Sequence, residues 1–314
     1  EAICCFERTV AIGRANLLIK NLGVTGANEG IHFDNVDLST ISGDSICDIG
    51  STGIWLTNGS ETNTVSTNQV QFVPYGIYMD AGSGNTFSGN YVTDNTSPGI
   101  AIQGGAGNVV SANRVLNSAS SGIAIDGAGS TSNTVTGNTA DSNVYGIAVG
   151  SSANNNTISS NTARYNSSAG INLGSGASFN TCSQNTLTSN WFGLYLLVGA
   201  SMNTIESNTI QSNTTNGVEV KTSCTGNIFR TNIVISNSGN GFLFSDTSSR
   251  NVIRNNLIRA NSRAGIALQT QSDTNIIVQN EISGNASGVW VSGTTLANAV
   301  HKNDIAGNRV GVWN

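Results

Sequence analysis

The most regular feature of the chain is a glycine followed by alternating apolar and variable positions, which recurs every 23 or 24 residues. Alternation with a period of two is typical of a β-strand rather than a helix, so each repeat predicts a strand with residues such as Ile54 and Leu56 facing a core. Thirteen units are opened by these glycines, which are Gly30, Gly53, Gly76, Gly99, Gly122, Gly146, Gly170, Gly193, Gly217, Gly241, Gly265, Gly288 and Gly311.

A second pattern, Asn-x-Φ-x-x-Asn-x-Φ-x-x-Asn with Φ apolar, lies between the glycines. Its first Asn is present in eleven successive units from Asn63 to Asn298, and its third is replaced only by Val73 and Ser118. The two apolar positions predict two further inward strands in each unit. Three strands per unit cannot bury their apolar face alone, but coils stacked about 4.8 Å apart can.

The sequence therefore predicts an all-β, single-stranded parallel β-helix of about thirteen coils. We expect a degenerate N-terminal coil over residues 1–29 and one continuous domain over residues 30–314. Asn is expected at the corners for two reasons: it tolerates the left-handed backbone conformation, and stacked Asn side chains satisfy one another's amide groups.

The combination Asn-Thr-Ile-x-x-Asn-Thr-Ile followed by Gly-Ile resembles the right-handed parallel β-helix repeat family, over residues 16–314. That family includes periplasmic copper-maturation proteins and many secreted carbohydrate-active or surface proteins. The resemblance implies a right-handed coil. The sequence lacks the Asp-Pro-His motif of alginate epimerases, the Gly-His-Gly of polygalacturonases and the Arg-x-Pro-x-x-Arg of pectate lyases. It therefore favours a binding or structural protein without a cofactor, and leaves open whether the protein is an enzyme.

Composition and charge narrow the possible partners. Charged residues are 10% of the chain, the net charge is −5, and no apolar run is long enough to span a membrane. Residues 1–160 carry twelve acidic and four basic side chains, whereas residues 161–314 carry six and nine. This asymmetry reflects either drift in surface composition or head-to-tail attraction between copies. A nucleic-acid partner is not expected at a pI near 4.9.

The cysteines and histidines do not predict a metal site. There is no Cys-x-x-Cys, and His32 and His301 lie far apart in the sequence. Cys182 occupies an inward position, so we expect it to be a small core residue. A disulfide between Cys182 and Cys224 is not expected. The five cysteines are Cys4, Cys5, Cys47, Cys182 and Cys224.

Features of the surface and of the N-terminus predict a secreted or cell-surface location. The chain begins at Glu1 without Met or a signal peptide, so we expect it to be processed, trimmed or excised. Asn-x-Ser/Thr sequons are weak evidence for glycosylation in so Asn-rich a chain, which has 44 Asn, but they agree with this location. Six are present, at Asn58, Asn95, Asn155, Asn166, Asn213 and Asn285.

Residues at equivalent positions of successive units should form columns. The residue between the two apolar positions of Gly-Ile-x-Φ is expected to face outward, and this column holds three of the four Trp residues. Outward aromatic side chains stack on sugar rings or enter protein interfaces. The candidates for binding or for an interface are His32, Trp55, Tyr78, Trp290 and Trp313.

The same column supplies a weak catalytic candidate. Tyr195 and Glu219 fall in consecutive units, with Lys221 two residues further on. A phenol, a carboxylate and an amine are able to abstract and return the C5 proton of a sugar, as polysaccharide lyases and C5-epimerases require. Another column contains Arg230 and Arg254, which predict a salt-bridge ladder with Glu206. Alternatively, these two arginines form a basic patch with Arg250, Arg259 and Arg263, which would meet acidic glycans or the acidic half of a second copy.

Two functions follow from these observations. The first is a non-catalytic extracellular or cell-surface structural or adhesive protein that associates with itself head to tail, as a filament or surface layer. The alternative is a protein that binds or modifies a polysaccharide, by lyase or C5-epimerase chemistry in the second case.

Overall fold

The computed structural model describes residues 9–313. Every regular element in this range is a β-strand, and the strands form two compact units. Unit 1 is Glu1–Val149 with Ala153–Thr157, and unit 2 is Gly150–Ser152 with Ile158–Asn314. Each unit has the same architecture: three parallel sheets whose strands follow one another in turn along the chain.

Most strands of unit 1 have three or six residues, because each side of a coil is short. They are β1 (Thr9–Ile12), β2 (Leu18–Lys20), β3 (Gly23–Thr25), β4 (Glu29–Asp34), β5 (Thr40–Ser42), β6 (Ser45–Cys47), β7 (Thr52–Thr57), β8 (Thr64–Ser66), β9 (Gln69–Gln71), β10 (Tyr75–Asp80), β11 (Thr86–Ser88), β12 (Tyr91–Thr93), β13 (Ile100–Gln103), β14 (Val109–Ser111), β15 (Arg114–Leu116), β16 (Ser121–Asp126), β17 (Thr134–Thr136), β18 (Thr139–Asp141) and β19 (Tyr145–Gly150). The first sheet has the order β1-β4-β7-β10-β13-β16-β19, the second β2-β5-β8-β11-β14-β17 and the third β3-β6-β9-β12-β15-β18.

Unit 2 repeats this arrangement. Its strands are β20 (Thr157–Ser159), β21 (Thr162–Arg164), β22 (Ala169–Leu173), β23 (Thr181–Ser183), β24 (Thr186–Thr188), β25 (Phe192–Leu197), β26 (Thr204–Glu206), β27 (Thr209–Gln211), β28 (Val218–Lys221), β29 (Ile228–Arg230), β30 (Ile233–Ile235), β31 (Phe242–Ser245), β32 (Val252–Arg254), β33 (Leu257–Arg259), β34 (Ala264–Leu268), β35 (Ile276–Val278), β36 (Glu281–Ser283), β37 (Ser287–Val291), β38 (Ala299–His301), β39 (Asp304–Ala306) and β40 (Val310–Trp313). The first sheet has the order β22-β25-β28-β31-β34-β37-β40, the second β20-β23-β26-β29-β32-β35-β38 and the third β21-β24-β27-β30-β33-β36-β39.

The predicted all-β parallel β-helix of about thirteen coils is confirmed, with seven first-sheet strands in each unit. Residues 1–29 contain β1 to β3, and β1 pairs with β4 in parallel as later coils do. The continuity of residues 30–314 as one domain stays a prediction.

The core of each unit consists of the apolar positions identified from the repeat. Ile54, Leu56, Val65 and Val70 have no exposed surface, and the same is true of most residues at equivalent positions. The repeated glycine is required because successive coils approach closely there. A Cβ atom on Gly76 would clash with the carbonyl oxygen of Gly99, which directly precedes β13.

Stacked Asn side chains line the inside of the corners. The backbone N–H of Asn85 donates to Oδ1 of Asn108 at 2.8 Å, and the Nδ2 group of Asn85 donates to the carbonyl of Ser60 at 2.9 Å. The prediction that these side chains satisfy one another is confirmed. The other expected reason, the left-handed conformation, does not apply to the ladder Asn, because the preceding residue, such as Thr62 or Thr67, adopts it there. Other Asn residues, such as Asn21 and Asn117, do have a positive φ.

The cysteines of the described residues are all free thiols: Cys47, Cys182 and Cys224. Cys182 is fully buried, as predicted for a core residue, and burial raises the pKa of its thiol to about 12. Cys4 and Cys5 lie outside the described residues.

Candidate functional site

The outward residues of the first sheet of unit 2 form one continuous row. Each lies directly opposite its neighbour in the parallel pairing, in the register that the repeat predicts. The row consists of Asn172, Tyr195, Glu219, Leu243, Ala267, Trp290 and Trp313. Several of these side chains are more buried than an outward position on a bare sheet predicts; Asn172 and Glu219 are only 8% exposed.

The segments that precede the first-sheet strands lie beside this row, as the hydrogen bond between Asn216 and Glu219 shows. They supply most of the residues that line two cavities, of about 310 Å³ and about 510 Å³. The smaller cavity is lined by Trp191, Phe192, Thr214, Thr215, Asn216, Ser238, Gly239 and Arg263. The larger one is lined by Ser262, Arg263, Ala264, Ala286, Ser287, Trp290 and Trp313. Because Arg263 lines both, we treat the two cavities as one feature, called the groove.

Aromatic side chains lie at both ends of the groove. At one end, Trp191 is half exposed and its ring meets that of Phe192 edge to face at 6.4 Å, while Phe192 lies 4.9 Å from Tyr195. At the other end, Trp290 and Trp313 lie opposite each other on β37 and β40. Aromatic rings of this kind combine a large apolar face with a polar edge, which suits the faces and hydroxyl groups of sugars.

Arg263 occupies the middle of the groove. Its backbone is fixed by pairing, because its N–H donates to the carbonyl of Gly239 at 3.0 Å and its carbonyl accepts from the N–H of Ala286 at 2.8 Å. Its side chain is exposed, and the guanidinium makes no hydrogen bond or ion pair with any described residue. A rigidly mounted backbone thus presents an uncompensated cation with several N–H donors to the groove.

Glu219 lies in the outward row beside the smaller cavity. Its Oε2 atom accepts a hydrogen bond from Nδ2 of Asn216 at 2.9 Å, and Oδ1 of Asn216 in turn accepts from the backbone N–H of Asn240 at 2.7 Å. Burial raises the pKa of the Glu219 carboxyl, and the charge of Asp246 adds to this, whereas Asn216 and Lys221 oppose it. The site therefore holds a carboxyl group that retains its proton more readily than an ordinary glutamate.

The three weak catalytic candidates lie close together in the fold. Tyr195 and Glu219 are opposite each other on β25 and β28, and Lys221 is two residues further along β28. The ammonium group of Lys221 lies 3.7 Å from Oδ2 of Asp246, so it is engaged in an exposed ion pair. Tyr195 and Glu219 thus lie side by side in the outward row, while Lys221 is paired with Asp246.

The aromatic candidates of unit 1 form a separate row on its first sheet. The rings of His32 and Trp55 are stacked at 4.4 Å, and those of Trp55 and Tyr78 are 6.5 Å apart. His32 is nearly buried, its Nδ1 atom lies 3.4 Å from the carboxylate of Glu29, and its Nε2 atom is hydrogen-bonded to the Thr57 hydroxyl at 2.8 Å. The carboxylate of Glu29 therefore accompanies this row.

The acidic character of the unit 1 row also affects Tyr78. Its hydroxyl donates to Oε1 of Gln103 at 2.6 Å. Burial raises the pKa of the Tyr78 phenol, and the carboxylates of Asp80 and Asp126 raise it further. Burial and these carboxylates therefore favour the neutral form of the Tyr78 phenol.

The structure does not gather the predicted basic patch into one surface. Arg230 and Arg254 lie opposite each other on the second sheet of unit 2, and Nε of Arg230 donates to Oε2 of Glu206 at 2.6 Å. Arg259 belongs to the third sheet, and Arg263 to the loop before β34 on the first. The contact between Arg230 and Glu206 corresponds to the salt-bridge alternative.

Four of the six sequons lie in the internal ladders. Asn95, Asn166, Asn213 and Asn285 are at most 3% exposed, whereas Asn58 and Asn155 are exposed. In the folded chain, therefore, only the last two present an accessible amide.

The described residues contain no group of three or more His, Cys, Asp or Glu side chains arranged to bind a metal ion. Nor does the same stretch, residues 9–313, include a helix long and apolar enough to cross a membrane.

Sequence reasoning missed part of the groove. Trp191, Phe192 and Asn216 were assigned no role, and Arg263 was assigned only to a basic patch. All four precede a repeat glycine by one or two residues. A comparison of the residues at these two positions across the units would therefore have singled them out. The repeat pattern does not show that these irregular segments fold against the outward row.

Two family models match the sequence. One, described as right handed beta helix region, matches residues 29–192. The other, described as periplasmic copper-binding protein (NosD), matches residues 165–314. No curated protein sequence is significantly similar to this chain.

Several solved structures share the fold. The A-module of the mannuronan C-5 epimerase AlgE6 from Azotobacter vinelandii is 14% identical, with a TM-score of 0.69 over 96% of this chain and 90% of that module. The periplasmic alginate epimerase AlgG is 16% identical, with a TM-score of 0.57 over 91% of this chain and 76% of AlgG. The tailspike protein of Escherichia coli bacteriophage HK620, in complex with a pentasaccharide, is 11% identical, with a TM-score of 0.59 over 92% and 67%.

At these identities the solved structures establish the likeness of fold alone. The family assignment depends instead on the sequence match over residues 29–192, which covers more than half of the chain and agrees with the three parallel sheets described above. It confirms the resemblance inferred from the Asn and Gly repeats. The chain belongs to the family of proteins with a right-handed β-helix region.

Proposed function

We propose that this protein is an extracytoplasmic polysaccharide-binding β-helix that holds its ligand in the groove of unit 2. The observation that carries the proposal is the pair of cavities that meet at Arg263 and have aromatic side chains at their outer ends. Binding sites for small polar ligands combine apolar and aromatic walls with a few polar groups that fix orientation. The groove has this composition.

The dimensions of the groove suit a chain of sugars rather than a single one. Its aromatic ends lie on β25 and β40, which are separated by five steps of the first sheet. Parallel strands stack about 4.8 Å apart, so the groove extends for about 24 Å. We infer that a linear oligosaccharide lies along the groove, across the strands, with its ends against Trp191 and Trp313.

The comparisons support this proposal. The similar structures include two epimerases of alginate or mannuronan and a tailspike with bound pentasaccharide, so the fold is used repeatedly for polysaccharides. The match to a periplasmic protein family and the periplasmic AlgG support a location outside the cytoplasm. The polysaccharide alternative is thereby better supported than the head-to-tail filament, which has only the unequal charge of the two halves in its favour.

Modification of the bound polysaccharide is a second candidate function. It is favoured by Glu219, a buried carboxyl with a raised pKa beside the groove, and by its neighbour Tyr195. A carboxyl that titrates nearer neutrality is suited to proton transfer at a sugar ring carbon. Incubating candidate polysaccharides with the protein and following their proton NMR spectra tests this function. A change in C5 stereochemistry or new unsaturated ends that Glu219→Gln abolishes would establish it.

The binding proposal is tested by calorimetry against a panel of oligosaccharides with Trp191→Ala and Trp290→Ala variants. We expect each variant to lose at least about tenfold in affinity, since a stacked aromatic ring contributes about 1.5 kcal/mol or more. Tyr165→Ala is the matched control, because Tyr165 is 64% exposed and does not line the groove. Unchanged affinity in both Trp variants, or failure of the wild type to bind any glycan, would contradict the proposal.

A further inference from the structure

We propose that the ligand of the groove is an acidic polysaccharide, one of whose carboxylates pairs with the guanidinium of Arg263. This inference rests on the proposed function, because it names the class of glycan that the groove takes. It is argued from the charges along the groove and from those along the aromatic row of unit 1.

Arg263 is the uncompensated cation of the groove. The other charged groups near the outward row already have partners: Lys221 lies 3.7 Å from the Asp246 carboxylate, and Glu219 accepts a hydrogen bond from Asn216. Arg263 lines both cavities, is exposed, and makes no side-chain hydrogen bond or ion pair within the described residues. Its donors therefore remain available to a bound molecule.

The geometry of a guanidinium selects for a planar anion. Two parallel N–H donors match the two oxygens of a carboxylate, and this charge-assisted pair is roughly twice as strong as a neutral hydrogen bond. A ligand lying between Trp191 and Trp290 passes Arg263, so a sugar carboxylate at mid-ligand meets the guanidinium. The aromatic ends contribute apolar contact, and Arg263 contributes selectivity for charge.

The aromatic row of unit 1 provides a contrast within the same chain. The carboxylate of Glu29 lies 3.4 Å from the His32 ring, and the charge of Asp80 acts on Tyr78. An acidic glycan is repelled there by like charge. Aromatic surface is thus present in both units, but carboxylates accompany the aromatic row of unit 1, whereas the groove of unit 2 contains Arg263.

The test compares a galacturonic acid hexamer with the same hexamer as its methyl ester, by calorimetry at low salt. We expect the wild type to bind the acid at least about tenfold more tightly than the ester, and Arg263→Gln to reduce this ratio to near one. Arg263→Lys keeps the positive charge but loses the two parallel N–H donors of the guanidinium, so an intermediate ratio is expected. Arg259→Gln, an exposed arginine on the third sheet, is the control and should leave the ratio unchanged.

The outcomes separate this inference from the proposed function. A wild type that prefers the ester or a neutral oligosaccharide, while Trp290→Ala still weakens binding, would overturn the acidic ligand and leave the groove as a glycan site. A preference for the acid that persists in Arg263→Gln would overturn the role of Arg263. Binding of a sulfated oligosaccharide but not of the hexamer would overturn the claim that the group paired with Arg263 is a carboxylate. If no glycan binds at all, both proposals fail.

Discussion

At the scale of single residues, the described structure depends on amide groups that satisfy one another across coils. Each ladder Asn connects the backbone of its own coil to the backbones of the adjacent coils. A different residue at one ladder position therefore leaves the Asn of the adjacent coil without its hydrogen-bond partners. Asn95 shows this directly. It lies between Val73 and Ser118 in its column, it is 2% exposed, and neither its Nδ2 nor its Oδ1 atom has a hydrogen-bond partner.

Replacing Ser118 by Asn should repair this ladder. The hydroxyl of Ser118 is buried without a partner, whereas its backbone N–H already donates to Oδ1 of Asn143 at 2.8 Å. In Ser118→Asn the new side chain connects Asn95 to Asn143, and we expect the free energy of unfolding to rise by about 1 kcal/mol. Chemical denaturation measures this. Ser111→Asn, at an outward position of the second sheet, should change little, and a less stable Ser118→Asn variant would contradict the ladder argument.

The raised pKa of Glu219 predicts a dependence of stability on pH. The folded chain binds the proton of this carboxyl above the ordinary pKa of 4.5, whereas the unfolded chain has released it. Stability should therefore fall as the pH rises from 4.5 through the folded-state pKa. Glu219→Gln removes this contribution while retaining an acceptor for Asn216.

The Glu219 contribution is isolated as the difference in unfolding free energy between wild type and Glu219→Gln at each pH. The raised pKa of Asp44, which is likewise due to burial, affects both proteins equally and cancels. We expect the difference to change in favour of the variant between pH 4.5 and neutrality. A difference that stays constant across this range would show that the carboxyl titrates normally.

At the scale of elements, the sequence was sufficient to predict the strands and their register. Apolar residues equivalent to Ile54, Leu56 and Val65 recur at fixed intervals because every coil buries the same positions of its strands. The repeat interval alone places Trp290 opposite Trp313. The groove was not predictable in the same way. Its wall consists of segments such as Trp191–Phe192, whose packing against the first sheet depends on tertiary contacts rather than on a period.

The repeat glycine carries a prediction about how closely the first-sheet strands stack. In Gly76→Ala the new Cβ atom would meet the Gly99 carbonyl at 2.3 Å, so the backbone must shift, and we expect a loss of about 2 kcal/mol in unfolding free energy. Gly311→Ala is a matched control, since Gly311 holds the equivalent position of its unit and nothing lies within 4 Å of its would-be Cβ atom. Equal stability of the two variants, measured by thermal unfolding, would contradict the close approach.

At the scale of the whole molecule, the two units differ in charge and in the chemistry of their aromatic side chains. Unit 1 has twelve acidic and four basic residues, and its Trp55 ring is stacked on His32. Unit 2 has six acidic and nine basic residues, and its three Trp residues line a groove with Arg263. The sequence shows the charge asymmetry and most of the aromatic column. It does not show which aromatic residues share a cavity, because that depends on the loops.

The central claim, that a polysaccharide occupies the groove of unit 2, is tested most directly by hydroxyl-radical footprinting of the four Trp residues, read by mass spectrometry with and without the galacturonic acid hexamer. One experiment then reports on both units, since Trp191, Trp290 and Trp313 line the groove and Trp55 does not. We predict that the ligand protects these three residues and leaves the oxidation of Trp55 unchanged. Protection of Trp55 alone, or of no Trp under conditions where calorimetry shows binding, would contradict the account.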